Sequence, residues 1–369
     1  MKLYPATLRG CVTPPQSKSI LHRELICQAL CGIYPSVPDA AGDVQMTQSA
    51  LAALRDGRRL VDCGESGSTL RFLLPVAAAM GKVGTVFTGS PRLLQRPVPA
   101  GLPIVRTASG WRICDALNSG EYVIDASRTS QVVSGLLMAL PLTADDSVLR
   151  VKAPVSRGYV ELTISVLHRY GIAGERWADG YRIPGGQVYR AAPLQTEADW
   201  SAVAWYAAVN ALGHQVYIKQ LNNDSDQPDR VITEYLKHLP EQIDISQTPD
   251  LFPVLALFSA LQEGKSTAFI HCASLRGKES DRLHNVTNIL TALGVRAEET
   301  MDSLRVYGQA KLRGGAMIDP CGDHRMAFLA AFGALFCDSA VTLTDADCVK
   351  KSYPRFWEDY TALGGHIEE

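Results

Sequence analysis

The sequence predicts a two-domain α/β protein in which helices as well as sheets are buried, with three βα-containing units in each domain. Three observations lead there. A chain of 369 residues exceeds what one ordinary hydrophobic core organises, so two domains are expected. A polar residue followed by an apolar, small-residue-rich stretch of helical length recurs six times. Charged amphipathic segments and short β-branched runs fill the intervals.

The recurring apolar stretches are Ser17–Gly32, Ser66–Gly81, Ser130–Pro141, Asp199–Gly213, Asp250–Gly264 and Asp323–Phe336. The run Val203-Ala204-Trp205-Tyr206-Ala207-Ala208-Val209 is typical, apolar on nearly every face, as in a helix buried all round. Between them lie Gln45–Gly57, Tyr159–Gly171, Pro228–Leu239, Asp281–Gly294 and Pro354–Gly364, each amphipathic and each ending in a helix-stop glycine or a turn. Arg92–Arg106 is the weakest of this second set, because Pro97, Pro99 and Pro103 break it. Strand-like pieces occur at Thr85–Phe87, Tyr122–Ile124, Ser147–Val151, Val216–Ile218, Ala268–Ile270 and Val341–Leu343.

Composition excludes several classes. With 46% hydrophobic residues and no polar low-complexity tract, the chain has enough to bury to avoid disorder. A formal net charge of −2 disfavours a nucleic-acid binder, although it leaves room for a local basic cleft. The start Met1–Pro5 lacks a charged leader followed by an apolar stretch. The longest apolar runs, such as Met326–Phe336, fall well short of the ~18–20 residues that span a bilayer. A cytoplasmic protein without membrane contact is expected. The nine cysteines form no C-x-x-C pair, and Cys27 and Cys31 have no His/Cys cluster nearby. Buried reduced thiols are expected, with neither disulfides nor a metal site.

The polar openers carry the chemistry. Ser, Thr or Asp at a helix start caps free N–H groups, and several such starts facing one place would bind anions. Any single opener is most simply a cap. What adds weight is the basic residue within a turn of many of them: Ser17-Lys18-Ser19 with Arg23, Gly67-Ser68-Thr69-Leu70-Arg71, Gln95-Arg96, Ser127-Arg128-Thr129-Ser130-Gln131 and Ser156-Arg157-Gly158-Tyr159. In the second half, Arg276-Gly277-Lys278-Glu279-Ser280-Asp281-Arg282 packs five charges into seven residues, and Asp323-His324-Arg325 opens an otherwise apolar helix. Three ionisable residues at a buried helix start are costly unless something pairs with them.

These segments, in this order and over almost the whole chain, resemble the enolpyruvyl transferase family, on its shikimate 3-phosphate branch. Lys-Glu-Ser-Asp-Arg at 278–282 and Asp-His-Arg-Met at 323–326 carry the likeness, supported by Ser-Lys-Ser at 17–19 and Gly-Ser-Thr-Leu-Arg at 67–71. The resemblance implies two domains of three βαβαββ units with buried parallel helices, an inside-out α/β barrel. It places the crossings near Thr13–Gln16 and Thr196–Glu197: a continuous domain, 14–196, on the shikimate 3-phosphate side, and a discontinuous one, 1–13 plus 197–369, on the phosphoenolpyruvate and catalytic side.

The activity implied is transfer of enolpyruvyl from phosphoenolpyruvate to the 5-hydroxyl of shikimate 3-phosphate, by addition and then elimination of phosphate. Matched residue by residue, shikimate 3-phosphate would contact Lys18, Ser19, Arg23, Thr129, Ser130, Gln131, Ser156, Tyr159, Asp250, Ser274 and Lys278. Phosphoenolpyruvate would contact Lys18, Gly67, Arg96, Gln131, Arg282, Arg325 and Lys351. Asp250 would accept a proton, Glu279 would donate one, and Lys18 would share in the transfer. No metal or organic cofactor, nucleic acid or membrane is implied, and a monomer is expected.

Three positions depart from the family pattern. Gln16 stands for a glycine, Glu65 for the asparagine of a Gly-Asn-x-Gly turn, and Ser274 for an asparagine that would touch the shikimate ligand. Glu65 is expected to pair with an arginine or to point away. The chain is also short, with losses at Gly57–Val61 and Arg96–Trp111. The sister activity, on UDP-N-acetylglucosamine, fits less well. That branch has asparagine where Ser19 stands and a reactive cysteine where Ser90–Gln95 has none.

Overall fold

Helices that are apolar on every face need partners on every face, and the computed structural model, which describes all residues except 39, 97, 99 and 100, provides them. The chain divides into two compact units: a continuous one, Ser17–Thr196, and a discontinuous one, Met1–Gln16 with Glu197–Glu369.

The continuous unit contains α1 (Lys18–Leu30), α2 (Gly42–Arg55), α3 (Gly67–Ala79), α4 (Pro91–Gln95), α5 (Gln131–Ala139) and α6 (Arg157–Arg169). Every residue of α1 from Ile20 to Ala29 is buried, and so is every residue of α5 from Val132 to Ala139. By contrast α6 buries one stripe, Val160, Leu162, Thr163, Val166 and Leu167, and leaves its charged side to solvent. Helices α3 and α5 pack backbone to backbone. A Cβ on Gly135 would stand 2.4 Å from the Arg71 carbonyl oxygen and 3.2 Å from the Phe72 Cα, so only glycine lets these backbones meet. Two four-stranded sheets share one topology. Leu60–Asp62 runs parallel to Val86–Thr88, which is antiparallel to Gly110–Ile113, itself in a hairpin with Ile104–Thr107. Likewise Glu121–Asp125 runs parallel to Ser147–Lys152, followed by the antiparallel pair Gly180–Ile183 and Glu175–Trp177.

In the discontinuous unit the helices are α7 (Trp200–Ala211), α8 (Ile232–Lys237), α9 (Phe252–Ala260), α10 (Arg282–Ala292), α11 (His324–Ala334) and α12 (Phe356–Ala362). All residues of α9 and α11 are buried. Trp205 stacks on Phe332 at 5.3 Å between ring centroids, tying α7 to α11. The sheet topology recurs with Gln242–Asp244, Ser266–Ile270, Leu304–Tyr307 and Ala297–Glu299. It recurs again with a substitution: Lys2–Tyr4 lies between Val341–Leu343 and His366–Glu368, antiparallel to both, while Met317–Ile318 runs parallel to Val341–Leu343. The N-terminal strand thereby completes a sheet made otherwise from the last fifty or so residues of the unit. A two-stranded parallel pair, Arg9–Val12 with Gln215–Ile218, completes the strand set among the described residues.

Several sequence expectations need correction. Pro228–Leu239 is a 3₁₀ turn, Pro228–Val231, running into the short α8. Among its described residues, Arg92–Arg106 holds four of the five residues of α4 and most of the strand Ile104–Thr107, and Pro97 and Pro99 lie outside the described residues. Not all cysteines are buried thiols: Cys11, Cys114 and Cys321 are exposed. Among the described residues no helix is long and apolar enough to cross a membrane.

Candidate active site

In the continuous unit the helix starts bring the basic residues inward. Ser17 caps α1, its Oγ accepting from the Ile20 N–H at 3.4 Å, and Lys18 Nζ lies 3.8 Å from Asp43 Oδ2. Arg23, 4% exposed, is held from several sides. Its Nε donates to Thr163 Oγ1 at 2.7 Å, Nη1 to the Ser19 carbonyl at 2.5 Å, and Nη2 to the Tyr159 carbonyl at 2.8 Å. Its guanidinium also lies 5.0 Å from the Phe72 ring centroid. Burial lowers Arg23 to about 10, which still leaves it charged at neutral pH. Arg23 therefore ties the backbones of Ser19 and Tyr159 together.

A second cluster forms at the start of α3. Gln131 accepts from Arg71 Nη1 at 2.6 Å through Oε1 and donates to Ser68 Oγ at 2.9 Å through Nε2, which fixes the orientation of its amide. A Cβ on Gly67 would stand 2.8 Å from Arg71 Nη1, 3.3 Å from Arg96 Nη1 and 3.5 Å from Gln131 Oε1. Glycine is what lets two guanidiniums come over one helix N-terminus. The Arg96 Nε is buried without a hydrogen-bond partner among the described residues. Two cations, a helix start and an unsatisfied donor together have the chemistry to receive an anion. Thr129 Oγ1 accepts from the Gln131 N–H at 3.3 Å. Ser130 is buried in helical conformation and makes no side-chain cap, contrary to its expected role as an opener. Ser156, at the start of α6, has φ 54° and ψ 44°, and Ala153 has φ 44°. Two left-handed non-glycine residues so close together store backbone strain of the kind found at ligand-binding turns. Glu65 is exposed on its turn.

In the discontinuous unit the organising group is Arg282, 2% exposed. Its Nε donates to Asp323 Oδ2 at 2.9 Å, Nη1 to Asp250 Oδ1 at 2.9 Å and Nη2 to Glu279 Oε2 at 2.6 Å. Asp323 also caps α11, accepting from the Arg325 N–H at 3.0 Å, and accepts from Ser280 Oγ at 3.1 Å. Arg325 Nη2 pairs with Asp250 Oδ2 at 2.9 Å and Nη1 donates to the Asp250 carbonyl at 3.1 Å. The Asp250 carboxylate is thus shared by two arginines. It does not cap α9, whose N-cap is Leu251 with no side-chain cap bond. Burial pushes the Asp250 carboxyl up, but Arg325, Arg282 and Lys278 outweigh it and hold the group at about 2. Burial in turn lowers Lys278, partly countered by Asp250. The Arg325 Nε and the Ser274 Oγ are buried without hydrogen-bond partners among the described residues. Lys351 ends the 3₁₀ turn Asp347–Lys351 and is half-buried. Gln16 forms an isolated bridge with Ala198.

A sequence profile of the EPSP synthase (3-phosphoshikimate 1-carboxyvinyltransferase) family matches residues 35–243 and 225–360. The chain belongs to the EPSP synthase family. Proteins named 3-phosphoshikimate 1-carboxyvinyltransferase from Clostridium kluyveri and Clostridioides difficile are 36% and 32% identical to it, each over 100% of this chain and 98% of the relative. Among solved structures, an EPSP synthase from Acinetobacter baumannii has a TM-score of 0.77 at 20% identity, covering 100% of this chain and 98% of that one. The enolpyruvyl transferase NikO from Streptomyces tendae has a TM-score of 0.73 at 18% identity, with the same coverage. At those identities the likeness shows the fold: the two-domain α/β enolpyruvyl transferase architecture.

Within this family member the sequence motifs and the geometry agree in part. Asp250, Glu279, Arg282 and Arg325 meet in one cluster, and Gly67, Arg96 and Gln131 meet in another. Ser19, Arg23 and Tyr159 are joined through backbone carbonyls. Sequence reasoning did not single out Arg71, Ser68, Asp43 or Asp323 as site members. Ser68, Arg71 and Asp323 stood inside quoted motifs, and for the two ionisable residues the signal was the cost of a charge in an apolar helix. Asp43 opens an ordinary amphipathic helix and carried none.

Proposed function

We propose that this chain carries out the EPSP synthase reaction: 5-enolpyruvyl transfer from phosphoenolpyruvate to shikimate 3-phosphate, with release of phosphate, in aromatic amino-acid biosynthesis. The observation that carries the reading is the convergence of Asp250 and Glu279 on one buried guanidinium, at positions that match the family motif. Two carboxylates beside arginines and a lysine supply an acid, a base and anion-stabilising charge in one place.

From the continuous unit, Ser19, Arg23, Thr129, Ser130, Ser156 and Tyr159 serve shikimate 3-phosphate, Gly67 and Arg96 serve phosphoenolpyruvate, and Lys18 and Gln131 serve both. From the discontinuous unit, Asp250, Ser274 and Lys278 serve shikimate 3-phosphate, and Arg282, Arg325 and Lys351 serve phosphoenolpyruvate. Arg matches carboxylate and phosphate as a planar fork, whereas Lys acts as a point charge. Asp250 takes the 5-hydroxyl proton as that oxygen attacks C2, and Glu279, protonated once phosphoenolpyruvate has drawn Arg282 away from it, gives a proton to C3. In the second step the C2–O bond to phosphate breaks, C3 returns a proton to Glu279, and the departing phosphate carries away the proton held by Asp250. Lys18 shares in these transfers.

The arginine pairing gives the base a condition. A carboxylate held at about 2 is a weak proton acceptor. Phosphoenolpyruvate, by drawing Arg282 and Arg325 onto its own oxygens, would relieve Asp250 of two cations and raise its basicity as substrate arrives. We assign no metal or organic cofactor, because each charge that develops has a lysine or arginine in the set. The protein is read as a cytoplasmic monomer. A phosphate-release assay tests the function: release should require both substrates, and UDP-N-acetylglucosamine should not replace shikimate 3-phosphate. Release with the sugar nucleotide alone as acceptor would transfer the assignment to the sister activity.

A further inference from the structure

Behind the start of α3 runs a buried polar chain that none of the roles above uses. His22 on α1, Thr47 on α2, and Thr69 and Ser66 at the start of α3 are 3%, 0%, 0% and 2% exposed. His22 Nδ1 lies 2.7 Å from Thr47 Oγ1, Thr47 Oγ1 lies 2.6 Å from Thr69 Oγ1, and Thr69 Oγ1 donates to Ser66 Oγ at 2.8 Å. Ser66 Oγ also accepts the capping bond from the Thr69 N–H at 3.3 Å.

A hydroxyl has one proton to give, so the last link sets the direction of the others. Thr69 spends its proton on Ser66, so the contact with Thr47 must be Thr47 donating. Thr47 has then spent its own, so the contact with the imidazole must be His22 donating. The competing acceptor, the Asp43 carbonyl, is 3.5 Å from both threonine hydroxyls and too distant to win. Burial, followed by the charges of Lys18 and Arg23, lowers His22 to about 3, so the ring is neutral and has a single proton to place.

We infer that His22 is a positioning residue for the phosphoenolpyruvate site: it is the neutral Nδ1–H tautomer, and it starts a one-way relay through Thr47 and Thr69 that fixes the Ser66–Gly67 turn. The relay spans three helices, so it sets where the α3 start stands relative to α1 and α2. With both Ser66 acceptor contacts taken, its own O–H is available as a donor at the turn carrying Gly67. Hydrogen bonds in such a chain polarise one another, so loss of the first donor weakens all of them. The inference rests on the proposed function in one respect, that Gly67 contacts phosphoenolpyruvate.

Two measurements test it. Long-range ¹⁵N–¹H correlation spectra of uniformly labelled wild-type protein report the tautomer of each of the eight histidines, with His22 identified by its loss in H22N. A protonated Nδ1 and bare Nε2 are expected; a protonated Nε2 overturns the relay whatever the enzyme assay gives. The kinetic arm compares His22→Asn, whose amide nitrogen can occupy the Nδ1 place, with His22→Leu, which has no donor. We expect H22L to raise KM for phosphoenolpyruvate about three- to tenfold with kcat within about twofold, and H22N to restore KM. Equal KM values for the two variants would refute positioning through the donor. If wild type were inactive with both substrates, the proposed function would fall while the tautomer result would stand.

Discussion

Replacing Asp250 by asparagine removes one negative charge from beside two buried guanidiniums while keeping almost the same shape. Asp250 bonds Arg282 Nη1 and Arg325 Nη2 at 2.9 Å each. Arg282 keeps Asp323 and Glu279 in the variant, but the other contacts of Arg325 are the Asp250 carbonyl and the Ser201 hydroxyl. The loss therefore falls mainly on Arg325. A carboxyl moved from 3.8 to about 2 contributes on the order of 2 kcal/mol to folding at neutral pH. Removing one partner of a fully buried pair costs about 3–5 kcal/mol, and Asp250 is half-buried, so about 2 is the better figure. The sign follows from the depressed folded value. The contribution is complete above the unfolded value of 3.8 and is lost as pH falls towards about 2. Urea unfolding of wild type and D250N should differ by about 2 kcal/mol, without change from pH 6 to 8, and converge below about pH 4. If D250N is as stable as wild type at pH 7, or if the difference varies between pH 6 and 8, the arginine pairing does not govern this cluster. Turnover of the same variant should fall far more than its affinity for shikimate 3-phosphate, since a base acts mainly in the transition state.

Lys18→Met should reduce turnover by at least about a hundredfold yet leave the urea midpoint nearly unchanged, because a lysine 3.8 Å from Asp43 at a partly exposed site stabilises by at most about 1 kcal/mol. Gly67→Ala should raise KM for phosphoenolpyruvate several-fold with little change in stability. The new Cβ would meet the movable ends of Arg71, Arg96 and Gln131, which can shift but only by leaving the proposed anion site; an unchanged KM would separate Gly67 from that site. Arg282→Lys keeps the charge and loses the fork that reaches three carboxylates, so both activity and unfolding free energy should drop, the latter by roughly 2–3 kcal/mol. A stable, active R282K would show that charge alone suffices.

The buried helices were the most legible part of the fold. A run such as Val203–Val209 is apolar on every face, and no arrangement except burial all round satisfies it. The antiparallel hairpins were much less so: Gly180–Ile183 and Glu175–Trp177 are three or four residues long, too short for a clear alternation, and held by backbone pairing that side-chain pattern does not record. The cap pattern misled at Ser130 and Asp250. A polar residue before an apolar helix looks like a cap, and only the structure reveals two arginines drawing the Asp250 carboxylate away from that role. In the candidate site, motif residues were readable because ionisable groups in apolar helices are conspicuous. Their supporting contacts, Asp43 to Lys18 and the hydroxyl of Thr47, are common residue types at ordinary positions and carry no local signal.

In the proposed mechanism, carbon–oxygen bond formation at C2 is coupled to proton delivery at C3 by carboxylates held on Arg282. Running the reaction in D₂O and observing the vinylic methylene of the product by ¹H NMR tests it directly. Addition puts one deuterium on C3, and elimination removes one of three hydrogens, so product should form with partial deuterium in the methylene, and E279Q should slow product formation and exchange together. Product with a fully protonated methylene would mean that C3 never becomes a methyl group, and the addition–elimination account would be wrong.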